Sequence, residues 1–390
     1  MEPPPADPAQ PNAFDVALVG GGLQSALILL ALRRLRPEAR VVMVEREPQV
    51  AGNHTWCFHA GDVPAAAREV VAPLVVARWP AYDVRFEGLE RTIDDPYACI
   101  TSESVRREVE AASRPPGVRL VTGAEAVSVD ATSVRLADGR RFGASLVVDS
   151  RGPGRFAPRG AAGWQKFVGL ELEVEPALPF TRPVLMDATV AQEDGYRFFY
   201  VLPLSQRRVL VEDTYFSDAP SLDRARLARG ALAWAAAHGL HGEVVREEQG
   251  VLPLPEEGIG TPTRDGVLLG GYQGGWFHPT TGYSFPVALR LALHVASRSP
   301  AEVFGPAFDR LVAEHRRQWR FAAWLNRLLF RAVQPHDRHH VLARFHRMPE
   351  ATIRRFYALS TTGTDRARIL CGRPPRGVSL RAALDRGLFA

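Results

Sequence analysis

An α/β architecture follows from three features of the 390-residue sequence. A strand–glycine turn–helix–strand unit stands near its start, and a second buried strand feeds a glycine-rich loop and helix late in the chain. The stretches between alternate apolar and polar residues. Together they predict a discontinuous dinucleotide-type domain built from 14–75, 99–160 and 260–298. A sheet-rich substrate-binding domain over 76–98 and 161–259 is expected inside it, with a disordered leader over 1–13 and helices over 299–390.

Asp15-Val-Ala-Leu-Val-Gly20 is short, β-branched and aliphatic, the pattern of a buried parallel strand. Gly20-Gly21-Gly22 opens an apolar helical stretch from Leu23 to Leu35, and Pro37 stops it before the strand Arg40 to Glu45. Ser102 is a plausible N-cap for a helix through Ala112. From Val118 to Val148 the pattern is a meander around the turn Ala137-Asp138-Gly139, closing on Asp149. Gln165 to Glu212 again reads as strands, with turns at Glu193–Gly195 and Leu204–Gln206. A helix from Ser221 to His238 and a strand near Val244 to Leu252 come next. The strand Gly266 to Gly270 then leads to a helix from Pro286 to Ala296.

Composition narrows the class. Apolar residues make up 46% and charged residues 23%, which excludes collagen, coiled coil and wholesale disorder. The 48 basic against 43 acidic residues give +5, yet Lys166 is the sole lysine, so arginine richness alone is no nucleic-acid footprint. Cys57, Cys99 and Cys371 are odd in number, with no CxxC and no histidine at metal spacing. They point to a reducing compartment, with neither disulfide framework nor metal site. The leader lacks a basic start and an apolar core, so it is not expected to be a signal peptide, and the longest apolar stretch is too interrupted to span a membrane.

Gly20-x-Gly22-x-x-Ser25 is a relaxed dinucleotide fingerprint. Its turn presents free N–H groups and the positive end of a helix to a pyrophosphate. Glu45, at the end of the second strand, stands where a carboxylate accepts from ribose hydroxyls.

Several strings then carry a family resemblance: Val19-Gly-Gly-Gly-Leu23, Ala51-Gly-Asn-His-Thr-Trp56, Asp149-Ser-Arg-Gly152, Tyr196-Arg-Phe-Phe-Tyr-Val-Leu-Pro-Leu204, Val211-Glu-Asp-Thr-Tyr215, Gly274-Gly-Trp-Phe-His-Pro-Thr-Thr-Gly-Tyr283, and Phe356-Tyr357 with Ala367 to Pro375. In this order they resemble bacterial-type lycopene β-cyclases. The resemblance implies a Rossmann-like FAD-binding domain of the glutathione-reductase/hydroxylase type, reduced FAD supplied by NADPH, and a redox-neutral isomerisation. Acid-catalysed closure of the ψ-ends of lycopene, or another acyclic carotenoid, would give β-ionone rings, through γ-carotene to β-carotene. It also implies a cytoplasmic protein associated peripherally with the inner face of the membrane, with room for contact with other carotenoid enzymes. Two departures stand out. Ser25 occupies the third fingerprint position, and Tyr272 follows Gly271 where wider flavoproteins carry Asp.

The late loop reads as the second half of a flavin site. Gly270, Gly271, Gly274, Gly275 and Gly282 allow backbone to approach a flat ring, and the next helix N-terminus favours the negative edge of a reduced flavin. Asp149 belongs to the expected cofactor set. His278 is either a reactant or a packed imidazole.

Adjacent strand residues point to opposite faces, so only one of Glu212 and Asp213 can share the face of Leu210. Val209 and Val211 take the other face, and Glu212 is expected to enter an apolar cavity, where burial keeps it protonated. The resemblance places the functional acid in the same string, which favours Glu212 over Asp213. Phe198, Tyr200, Trp276, Phe277 and Tyr283 are candidates to line the substrate, as cation-steadying faces or as plain core.

From His315 to Phe356, ten arginines interleave with Trp319, Phe321, Trp324, Leu325, Leu328, Leu329 and Phe330. Such a basic amphipathic stretch suits an anionic bilayer surface; a nucleic-acid contact or a solvated helical face are the alternatives. Two rival functions share the early motifs: a flavin monooxygenase or oxidase of an apolar isoprenoid, and a non-catalytic prenyl-lipid carrier.

Overall fold

A computed structural model describes residues 14–152, 161–257, 259 and 262–371. The leader and the Pro-Pro end of the last motif lie outside them. The chain begins β1 (Phe14–Val19), α1 (Leu23–Leu35), β2 (Val41–Val44), β3 (Thr55–His59), a short α2 (Arg68–Val71) and β4 (Val75–Trp79). It continues β5 (Tyr82–Phe86), β6 (Leu89–Ile93), β7 (Tyr97–Thr101), α3 (Ser102–Ser113), β8 (Val118–Val121), β9 (Ala126–Val129), β10 (Ser133–Leu136) and β11 (Arg141–Asp149). Then come β12 (Ala161–Val174), β13 (Val184–Asp187), β14 (Tyr196–Pro203), β15 (Arg208–Ser217), α4 (Arg224–Ala237) and β16 (Gly242–Pro255). The last elements are β17 (Thr263–Arg264), β18 (Val267–Leu269), α5 (Phe285–Ala296), α6 (Pro306–Ala332), α7 (Arg338–Phe345), α8 (Glu350–Tyr357) and α9 (Gly363–Leu370).

The first sheet has the order β17-β18-β11-β1-β2-β8, with β9 and β10 attached to β11. Its centre is parallel: β1 lies between β2 and β11, and β11 pairs in parallel with β18. The late strand therefore returns beside the first one, and α5 packs on α1. Strand residues here are apolar on both faces, because helices cover one side and the β9–β10 hairpin covers part of the other.

The second sheet runs β16-β12-β15-β14-β13-β5-β6, and β3-β7-β4 forms a third. The segment 76–98 is thus shared, since β4 stays with β7 while β5 and β6 join the large sheet. Along β15, Val209, Val211 and Tyr215 pack beneath α4, with Leu227, Ala231 and Trp234. Leu210 and Phe216 project to the opposite face, onto Leu329 and Phe330 of α6, Phe345 of α7 and Phe356 of α8. The sheet is a partition between two apolar layers, which is what places one acid of the adjacent pair on each side.

Two expected helix starts move by a few residues. Thr101, extended and at the end of β7, caps α3 by accepting from the Ser104 N–H at 3.3 Å, so Ser102 is already helical. Asp223 caps α4 by accepting from Arg226 N–H at 3.0 Å, so that helix begins at Arg224 rather than Ser221.

Candidate active site

The dinucleotide half comes first in the chain. Gly20 holds φ +89°, and a Cβ there would stand 2.9 Å from the Ser150 carbonyl oxygen, so the turn requires glycine. Gly22 is the N-cap of α1 and offers no side chain, and a Cβ built on it meets open space. The helix N-terminus is therefore uncapped toward a void, with its positive dipole end directed there. Around it the side-chain oxygens of Gln24, Ser25 and Ser150 are buried without hydrogen-bond partners. Glu45 reaches back to this turn and accepts from the Gly21 N–H at 2.6 Å and the Glu47 N–H at 2.9 Å. Orphaned hydroxyls, an uncapped helix and a carboxylate at the strand end are the groups that a pyrophosphate and a ribose would satisfy; a dinucleotide fits.

Asp149 stands at the neighbouring strand end, opposite Val19. It is fully buried and accepts two bonds from the Arg151 side chain, at 2.9 and 2.7 Å, and one from the Arg151 N–H at 3.2 Å, which shape the strand end. Gln273, which the sequence did not single out, ties the late loop to this corner by donating to Arg151 O at 2.7 Å. That loop, from Gly271 to Ser284, has positive φ at Gly271, Gly275 and Gly282, and Gly274 packs against Leu269 O and the Trp276 ring. It lies against the large sheet, where Gly282 faces Leu252 and Gln165.

His278 sits inside this loop with both ring nitrogens engaged. Nδ1 accepts from Thr280 N–H at 3.1 Å, which leaves Nε2–H to donate to Phe356 O at 3.0 Å. Burial pushes its pKa down to about 3. Through both nitrogens the ring ties the loop to α8. Trp276 and Phe277 are likewise internal: the indole donates to Leu269 O at 2.9 Å, and Phe277 stacks on Tyr272 and meets Trp319 edge-on. Tyr283 instead packs where the two large apolar clusters meet, donating to Asp62 at 2.6 Å.

The acids separate as strand geometry requires. Asp213 is fully buried under α4 and accepts from Arg197 through both oxygens, at 2.9 and 2.8 Å. Glu212, 8% exposed, lies on the other face beside Tyr200, its register partner on β14. Phe198 shares that face. Thr214, two residues along, donates to Glu212 Oε1 at 2.6 Å. No described cation pairs with Glu212. Burial, then the charge of Glu248, push its pKa up to about 8, while the Thr214 bond pulls the other way. The shift favours the neutral carboxylic acid on this apolar wall.

Glu248 is the residue that sequence reading missed. In register, Glu248 of β16, Gly169 of β12, Glu212 of β15 and Tyr200 of β14 form one row across four strands. Side chains in such a row project to the same face. Gly169 contributes no side chain, and a Cβ there would crowd Glu248 Cγ at 3.1 Å and Leu210 at 3.2 Å. Glu248 is 5% exposed and held through Oε2, accepting from Arg246 at 2.8 Å and Thr55 at 3.0 Å. Arg246 also donates to Thr55, Asn53 and Glu171. Asn53 and Thr55 belong to the Gly-Asn-His-Thr-Trp string, which thus joins the dinucleotide half to the acid row. A glycine in the middle of a β-strand was the available signal, since it marks a close approach.

The family model described as "Lycopene cyclase protein" matches residues 15–383. The chain belongs to the lycopene cyclase family. It is 40% identical over 386 residues to a lycopene beta-cyclase of Pantoea ananas, covering 96% of this chain and 98% of that one. A lycopene beta-cyclase of Pseudescherichia vulneris is 39% identical, with 95% and 97% covered. The fold of this family member is also that of flavoproteins at much lower identity. A geranylgeranyl bacteriochlorophyll reductase-like protein of Thermoplasma acidophilum superposes with TM-score 0.62 at 13% identity, covering 95% of each chain. A p-nitrophenol 4-monooxygenase of Pseudomonas putida gives TM-score 0.62 at 17% identity, covering 93% of this chain and all of that one.

The C-terminal helices of this lycopene cyclase family member have a different balance from the expected one. In α6, Trp319, Leu329 and Phe330 point into the core, and Trp319 donates to Glu257 O at 3.1 Å. Phe321, Trp324, Leu325 and Leu328, at helical spacing, are half-buried. Many of the arginines have acidic partners: Arg317 with Glu314, Arg331 with Glu256, Arg338 with Asp218, Arg354 with Asp95 and Arg355 with Asp365. The apolar residues of this stretch therefore serve mainly as cover for the acid-bearing face of the sheet. Among the described residues no helix is long and apolar enough to cross a membrane.

Proposed function

We propose that this chain is a lycopene β-cyclase in which Glu212 is the proton donor. The observation that carries the reading is a buried carboxyl with no cation partner on an apolar sheet face, beside Tyr200, in a chain of this family. Protonation at C2 of the terminal C1=C2 bond needs an acid that water has not already ionised. A buried carboxyl supplies this without a metal. The C5=C6 bond then closes onto C1, and loss of the C6 proton completes the β-ionone ring with no net oxidation.

Each residue has a task in that sequence. Thr214 fixes Oε1, so the proton resides on the oxygen it leaves free. Tyr200 and Phe198 present ring faces to the developing cation, each contributing roughly 0.5–2 kcal/mol. The packed helices α6, α7 and α8 exclude water that would otherwise trap the cation as an alcohol. Asp213 holds the sheet through Arg197 and takes no part in proton transfer.

Gly20, Gly22, Ser25 and Glu45 with the loop from Gly271 to Gly282 are proposed to hold FAD, on the fit of the uncapped helix and the buried, partnerless oxygens beside it. Bound in reduced form, FAD adds negative charge beside the cation. NADPH is the proposed external reductant, since only one dinucleotide fingerprint is visible in the sequence. Peripheral contact with the inner face of the membrane, where carotenoid dissolves, rests on the half-buried stripe of α6.

Expression in a lycopene-accumulating bacterial host, with pigments separated by chromatography, tests the reading. Cyclic carotenoids are expected; persistent lycopene beside folded, flavin-loaded protein would remove it. The fold is shared with monooxygenases, so substrate-dependent oxygen uptake would favour that rival, and none is expected.

A further inference from the structure

Proton loss from C6 requires an acceptor, and Glu212 is a donor at the start of the reaction. The row across the large sheet contains a second carboxylate. Glu248 is separated from Glu212 by Gly169 alone, and in register both side chains project to the same face. The missing side chain at Gly169 makes the gap between them, and Glu248 leans over it: a Cβ at 169 would be 3.1 Å from its Cγ and 3.5 Å from its Oε1.

The hydrogen bonds of Glu248 are asymmetric. Arg246 and Thr55 both donate to Oε2, whereas no described residue donates to Oε1, the oxygen nearer Gly169. Arg246 sets a guanidinium against Oε2, and its other bonds, to Glu171, Asn53 and Thr55, fix that group in place. Glu212 lacks such a cation. The two acids of the row thus differ in their surroundings, one against a guanidinium and the other without a cation, which is the kind of asymmetry an acid–base pair needs.

We propose that Glu248 is the base that accepts the C6 proton, acting from the carboxylate oxygen that faces Gly169. The inference rests on the cyclase reading above. The balance closes within the pair. Glu212 gives its proton to C2, and the C5=C6 π electrons form the C1–C6 bond, leaving the cation at C5. The C6–H electrons then form the new C5=C6 bond as the proton passes to Glu248. Return of that proton to Glu212, directly or through solvent, resets the site with nothing oxidised or reduced.

A base at C6 has a readout that a merely structural residue lacks. Without it, the C5 cation loses a proton elsewhere, from C4 or the C5 methyl, which gives ε-type or exocyclic rings, or it reverts to lycopene. The test uses the flavin-loaded full chain in D2O with lycopene, wild type in parallel. Glu248→Gln keeps an acceptor for Arg246 and Thr55 and is expected to lower β-ring formation at least about 100-fold. Residual product should carry a displaced double bond, or recovered lycopene should carry deuterium, because protonation by Glu212 still occurs. Glu212→Gln should yield neither. β-Ring formation by Glu248→Gln within about threefold of wild type would overturn the proposal. So would complete loss with undeuterated lycopene, which would place Glu248 before the protonation step. Should Glu248→Gln lose its flavin, Glu248→Asp is judged by the same readouts. A wild type that makes no β-rings at all refutes the cyclase reading instead.

Discussion

Thr214 donates a 2.6 Å hydrogen bond to Oε1 of Glu212, two positions back on the same face of β15. This bond is the one influence that favours the ionised form of an acid otherwise held neutral by burial and by Glu248. Glu212 therefore has its proton below about pH 8 and loses it above, so the rate should fall as pH rises through that region. Thr214→Val removes the bond. The alkaline limb of the pH–rate profile is expected to move to higher pH, with the neutral-pH rate reduced by the loss of positioning. An unmoved limb would separate it from Glu212.

Asp213 should behave differently although it is the next residue. Its bidentate partner Arg197 makes it a structural anchor beneath α4. Asp213→Asn leaves the Arg197 guanidinium, largely out of water, without its counter-charge and with one acceptor oxygen fewer, a change that costs about 3–5 kcal/mol. Denaturant unfolding should show that loss, while protein that remains folded still cyclises lycopene. Loss of activity at unchanged stability would give Asp213 a chemical role.

Gly22 offers a clean test of the cofactor site. Its backbone is at φ −76° and ψ −174°, which any residue adopts, and a Cβ there meets nothing within 4 Å. Gly22→Val should leave apoprotein stability within about 0.5 kcal/mol of wild type, since no contact is broken. The new methyl groups fill the space over the N-terminus of α1, so flavin absorbance after purification should be lost. Full flavin retention would move the pyrophosphate elsewhere.

The stripe on α6 makes a separate prediction. Phe321→Glu together with Leu328→Glu places charge on half-buried positions of α6. Co-sedimentation with anionic lipid vesicles should fall several-fold without loss of fold. Unchanged vesicle binding would leave the membrane contact to another surface.

Local rules made much of this legible in the sequence. Alternation along Val209–Glu212 assigned Glu212 and Asp213 to opposite faces, because a strand has period two whatever it packs against. Glycine and proline punctuation set α1, and the apolar run to Ala296 set α5. What stayed hidden depends on register between distant strands. Nothing in Arg246-Glu-Glu248 shows that β16 aligns Glu248 with Gly169, and the roles of Asn53 and Thr55 appear only once β3 meets β16. The partners of His278 and Asp149 were hidden for a related reason. Residue type suggested chemistry, but their partners, Phe356 O for one and Arg151 for the other, are supplied by the fold. The arginines of the C-terminal helices looked like a free basic surface because their acidic partners, such as Asp95 and Asp218, lie far away in sequence.

The central claim is that a buried, protonated Glu212 starts the reaction. It is tested most directly by turnover of purified, flavin-loaded Glu212→Gln with lycopene in D2O. The amide keeps the shape of the side chain and its Thr214 contact but has no acidic proton. A fall of at least about 100-fold in cyclised product is expected, with flavin retained and recovered lycopene free of deuterium. Cyclisation near the wild-type rate, or deuterium entering lycopene at C2, would contradict the assignment and place the proton donor on another group.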